Sequence, residues 1–130
     1  MKLVVDTSAF SAFGRGGDAR LTPWFKPEHQ LLMPLIVLGE LRAGFALGSK
    51  EAANLRTLNK FLDIPNVEIL KLTTMTPKLY ADLYRQLRLA GKAVSTNDIW
   101  IAALAIEQGV PLLTLDADFQ AIKKLQLAPL

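Results

Sequence analysis

The chain has no cysteine in its 130 residues, which excludes disulfides and thiolate–zinc sites and suits a reducing compartment. Histidine is nearly absent too. The single His29 cannot supply both the acid and the base that metal-free phosphodiester cleavage needs near neutral pH, and it reads as an exposed loop residue. Long apolar runs are also missing. Ile99 to Ile106 is eight residues, well under the roughly 18 of a spanning helix, and Met1 to Val5 is cut off by Asp6 before a signal-peptide core can develop. No repeat, linker or low-complexity segment divides the sequence. The expectation is a single domain over residues 1–130, cytoplasmic and without a membrane segment.

Apolar residues are plentiful, at 51% with a mean hydropathy of +0.25. That is more apolar surface than one small core absorbs, so a partner or a second copy is expected to cover the excess. Net charge is only +3, from 15 basic and 12 acidic residues. If Asp6, Glu40, Asp98 and Asp116 line one cleft, however, the other 8 acids face all 15 basic residues, a balance of +7. An acidic hole in a basic surface suits a polyanion brought to metal ions.

Lys2-Leu3-Val4-Val5 reads as a buried strand stopping at Asp6-Thr7-Ser8. Gly14 to Pro27 reads as a flexible basic loop with a Trp24-Phe25 anchor; its Gly14-Arg15-Gly16-Gly17 lacks the Gly-Lys-Ser/Thr ending of a nucleotide-binding loop. Leu31 to Met33 is a second strand. Pro34 opens a helix over Leu35 to Leu47 whose near-uniform apolarity predicts burial on most sides, ended by Gly44 or Gly48. Ser49 is placed as the N-cap of a helix with Leu55, Leu58 and Leu62 inward, and Val67 to Leu70 as a third strand.

Thr76-Pro77 begins a helix with Leu79, Tyr80, Leu83, Tyr84 and Leu87 inward, closed by Gly91. Asn97-Asp98 opens the apolar helix Ile99 to Ile106, stopped by Gly109. Leu112 to Leu115 is a fourth strand ending at Asp116, followed by a short helix over Phe119 to Lys124 and an edge strand near Leu127. Alternation of strand and helix predicts a three-layer α/β/α sandwich around a parallel sheet of about five strands. Ligands bind such sheets beyond the carboxyl ends of the strands, where Asp6 and Asp116 fall.

Mg²⁺ or Mn²⁺ takes oxygen ligands and is usually held by a few carboxylates plus substrate phosphate. Four acids from four elements suit one or two such ions, and with them phosphodiester hydrolysis. Singly, each acid has a plainer reading. Asp6, and one of Asp116 and Asp118, can cap the helices that follow, and Asp98 can serve the helix dipole as a first-turn acid. Glu40 resists this treatment. A carboxylate among apolar residues needs a partner, and Arg42 points about 200° away around the helix.

At these residues the sequence resembles the PIN-domain family, specifically the single-domain VapC-like toxins of type II toxin–antitoxin pairs. The resemblance covers essentially the whole chain. It rests on Val5-Asp6-Thr7-Ser8, Gly39-Glu40-Leu41-Arg42-Ala43-Gly44, Asn97-Asp98-Ile99-Trp100-Ile101-Ala102-Ala103 and Thr114-Leu115-Asp116-Ala117-Asp118-Phe119. Each is weak alone; four in order and spacing are specific. The resemblance implies that Asp6, Glu40, Asp98 and Asp116 are the catalytic, metal-binding quartet with Asp118 as an auxiliary ligand. It makes Thr7, Ser8, Asn97 and Thr114 supporting groups, although ordinary turn and strand chemistry explains the hydroxyls equally well. It also implies a Mg²⁺- or Mn²⁺-dependent endoribonuclease that stops translation by cutting structured RNA, transfer RNA ahead of ribosomal RNA. Its partners would be a VapB-like antitoxin covering the acidic cleft and a second copy in a homodimer.

Arg85, Arg88 and Lys92, three and four residues apart, and Arg15 and Arg20 in the loop are candidate RNA contacts, against the alternative of a solvated helix face. Trp24, Trp100 and the phenylalanines read as core or dimer contacts. Two other functions compete. A haloacid-dehalogenase-type phosphatase needs a second Asp two residues after the first, where this chain has Ser8. A non-catalytic PIN-like module binding RNA or protein would show no acid-dependent Mn²⁺ uptake.

Overall fold

The computed structural model describes all 130 residues. Four strands form one parallel sheet: β1 (Lys2–Val5), β2 (Gln30–Pro34), β3 (Val67–Leu70) and β4 (Leu112–Leu113), in the order β3-β2-β1-β4. Their side chains are the driving force. Leu3, Val4, Val5, Leu31, Leu32, Met33, Leu112 and Leu113 are almost wholly buried, as expected for strands covered on both faces. The fifth strand is reduced to one parallel bridge between Leu112 and Leu127. Pro129, without an N–H, cannot extend that pairing.

Five α-helices flank the sheet: α1 (Thr7–Gly14), α2 (Leu35–Leu47), α3 (Glu51–Leu62), α4 (Thr76–Leu89) and α5 (Thr96–Gln108). Right-handed crossovers put the helices joining β1 to β2 and β2 to β3 on one face, and those returning from β3 to β4 on the other. Aromatic contacts agree. Phe10 of α1 and Phe61 of α3 meet edge-on at 5.0 Å, and Phe25 of the 3-10 turn Thr22–Phe25 stacks on Phe13 at 4.0 Å. Across the sheet, Tyr80 of α4 stacks on Trp100 of α5 at 3.9 Å. No helix is long and apolar enough to cross a membrane.

Several sequence-level expectations change. Only Val37 and Leu41 of α2 are buried, while Leu35 is 43% and Leu47 92% exposed; the neighbouring elements cover one stripe of this helix, not most of it. Ser49 is not the cap of α3, because the helix starts later, with the Asn54 N–H donating to the Lys50 carbonyl. Tyr84, expected inward on α4, is exposed. α5 begins earlier than expected, capped by Ser95. β4 ends at Leu113 rather than Leu115, since the Leu115 and Asp116 N–H groups donate to the Ser8 and Thr114 hydroxyls instead of to a strand. The helix expected over Phe119 to Lys124 is a 3-10 turn over Ala117–Ala121. His29 is half buried, its ring 5.2 Å from that of Trp24.

Candidate metal centre

Chain order reverses between β1 and β4, because β1 leads away to β2 on one side while β4 returns on the other. The crevice beyond such a reversal is where open parallel sheets bind ligands. Asp6 stands in it at the end of β1, only 3% exposed. It occupies the N-cap position of α1 but makes no side-chain cap bond. Its Oδ2 instead accepts from Ser8 Oγ at 2.8 Å and from Thr114 Oγ1 at 2.7 Å. Helix capping therefore does not account for this carboxylate, and the two hydroxyls fix its orientation.

Glu40, half buried on α2, reaches the same region. Thr7 Oγ1 donates to its Oε1 at 2.8 Å and Asn97 Nδ2 to its Oε2 at 3.4 Å, so the partners of this acid are a hydroxyl and an amide. The four supporting residues expected from sequence thus all touch this network. Asp98 lies in the first turn of α5, its N–H donating to Ser95 Oγ at 3.2 Å. Burial pushes its carboxyl up to about 6, helped by the charges of Asp6, Asp116 and Glu40 and opposed by a hydrogen bond from Ser95. The hydrogen bonds from Thr7 and Asn97 to Glu40 and from Thr114 to Asp6 join the segments that carry the four acids.

Asp116 does cap its 3-10 turn, accepting from the Asp118 N–H at 2.9 Å. Asp118 contributes that N–H, and its own exposed carboxylate makes no hydrogen bond. The one ion pair in the molecule is Arg20 with Asp18, at 2.6 Å, so no Lys or Arg neutralises any of the quartet. Oxygen donors with uncompensated negative charge fit a hard divalent cation, which keeps several waters of its own. The fit is one of chemistry and not of a closed cage, because no three of the acids approach closely enough to hold an ion unaided.

A model of the PIN domain matches residues 3–125. The chain belongs to the PIN-domain family. Within it the chain sits with the VapC-like members. It is 31% identical over 121 residues to ribonuclease VapC5 of Mycobacterium tuberculosis, covering 92% of this chain and 86% of that protein. It is 33% identical over 126 residues to ribonuclease VapC4 of the same organism, covering 97% of this chain and 95% of the relative. Its fold matches a chain in the crystal structure of VapBC2 from Rickettsia felis bound to a promoter DNA fragment, with a TM-score of 0.84, 26% identity and coverage of 98% of both chains.

The basic candidates of this PIN domain are dispersed. Arg20 is held by Asp18 and lines a cavity of about 310 Å³ shared with Thr114 and Asp116. Arg88 and Lys92 border a different cavity at the start of α5, while Arg15 and Arg85 are exposed and make no ion pair. Sequence reasoning missed Ser95. The signal was there: Ser95-Thr96-Asn97-Asp98 has the Ser-x-x-acid spacing of a capping box.

Proposed function

We propose that this chain is a divalent-metal-dependent endoribonuclease toxin that cuts structured RNA to stop translation, with transfer RNA ahead of ribosomal RNA as its target. The observation that carries this reading is the set of four acids at the β1/β4 crevice with no cationic partner. Asp6, Glu40, Asp98 and Asp116 would hold Mg²⁺ or Mn²⁺, one ion or two, with Asp118 at the margin. Bound there, the ion would activate water and screen the charge growing on phosphorus. The protein's own part is positional. Ser8 and Thr114 hold Asp6, Thr7 and Asn97 hold Glu40, and the dispersed Arg15, Arg20, Arg85, Arg88 and Lys92 would take RNA phosphates.

The ribonuclease names of the curated relatives support the activity, and likeness to a chain of a VapBC complex supports a VapB-like antitoxin. That antitoxin would lie over the cleft, where a cavity of about 520 Å³ is lined by Leu35, Ile36, Gly39, Glu40, Ala43 and Asn97. A homodimer acting in the cytoplasm completes the reading, the second copy covering other exposed apolar residues such as Leu89, 78% exposed. The alternative reading is a non-catalytic PIN-like module that binds RNA or a protein. Incubation with total cellular RNA decides between them. Discrete fragments with Mg²⁺ or Mn²⁺ that vanish with chelator and in Asp6→Asn are expected; a folded, antitoxin-free protein that cuts no RNA and takes up no Mn²⁺ is a binding module.

A further inference from the structure

A cavity of about 420 Å³ lies between the C-terminal half of α4 and the start of α5, outside the acid cluster. Its floor is apolar and fixed: Leu87 and Ile99 are 5% and 3% exposed, and Val94 is half buried. Its rim carries Arg88 and Lys92, neither in an ion pair, and no acid lines it. The Arg88 guanidinium sits 5.3 Å from the centre of the Tyr84 ring, a cation–π contact that restrains it. Two unneutralised cations above an apolar floor match the two halves of a nucleotide, a phosphate and a base.

Position narrows the occupant. Ser95, in the wall of this cavity, also accepts the Asp98 N–H, and three residues of helix advance only about 4.5 Å. A strand crossing Asp98 therefore reaches the cavity within about one nucleotide. A second copy of the chain docked with its two-fold axis through this cavity would set its Arg88 and Lys92 against these same cations. We infer that the cavity is a nucleotide subsite, seating the base next to the scissile phosphodiester on Leu87, Val94 and Ile99 and its phosphate on Arg88 and Lys92.

This inference rests on the ribonuclease reading, and binding measured without catalysis separates the two. The probe is a fluorescein-labelled stem–loop RNA titrated in EDTA at several salt concentrations. Arg88→Ala/Lys92→Ala should weaken binding and flatten the log–log salt slope by about one for each phosphate left unpaired. Val94→Ser, which removes apolar floor without adding charge, should weaken binding and leave the salt slope unchanged, while Arg56→Ala on the exposed side of α3 should match wild type. Circular dichroism checks folding and light scattering the mass. Variants that bind as wild type does, from a protein that cleaves RNA with Mn²⁺, overturn the subsite alone. A loss of affinity that follows a change in mass overturns it in favour of a subunit interface. A wild type that binds with the expected losses yet never cleaves supports the subsite and overturns the ribonuclease.

Discussion

Among the acids, Asp98 carries an electrostatic cost that experiment can read. Its carboxyl binds a proton more tightly in the folded chain, at about 6, than at its ordinary 3.8. The folded state therefore holds more protons across that interval, and its stability falls as pH rises through it, with the penalty complete above the upper value. In chelator, Asp98→Asn should gain thermal stability over wild type as pH is raised from about 4 to about 7. Added Mn²⁺ should narrow the gap by stabilising wild type alone. Thermal unfolding of both proteins across the range checks this, and a gap independent of pH would mean that Asp98 feels no such crowding. The acid itself was legible in Asn97-Asp98-Ile99. Its like-charged neighbours were named through the family resemblance, but how deeply Asp98 is buried was not legible, because that burial depends on how the elements carrying the acids pack together.

α5 joins stability to the site. Ser95 caps it, and Gly109, at φ +66, ends it in the left-handed conformation that glycine adopts without Cβ strain. Ser95→Ala should cost about 1 kcal/mol of stability. Since the Ser95 hydrogen bond opposes the upward shift of Asp98, the substitution should also move the Asp98 titration to higher pH. NMR titration of the metal-free carboxyl beside thermal unfolding reads both effects; a loss of stability with no movement in titration would make Ser95 a cap and nothing more. The start of α5 at Ser95 was missed, whereas both ends of α4 and the end of α5 were readable because Thr76-Pro77, Gly91 and Gly109 are local signals. The exposure of α2 was not, because apolar composition states what a helix can bury and not how many neighbours arrive to bury it.

The whole molecule separates charge by place. Four acids gather at one crevice, leaving the other 8 acids against 15 basic residues, and that excess should draw RNA in through long-range attraction. RNA cleavage at low substrate should therefore fall steeply with rising KCl at fixed Mn²⁺, mainly through KM; steady-state rates over a salt series test it, and a flat response would remove the steering role.

Sequence by itself determined the class of fold and the chemistry on offer. Short apolar runs had to become buried strands, helical spacing set the crossovers, and four acids stood in segments whose order resembles the PIN family. Tertiary structure decided which groups each acid meets. Asp6 has the sequence context of a helix cap, yet its carboxylate turns to Thr114, 108 residues away. Asp116, expected to share a metal, also caps its own turn. A hydroxyl's choice of partner depends on which strands lie side by side. Pairing of β1 with β4 is a long-range event, settled when burial of the whole core fixes the order of the sheet.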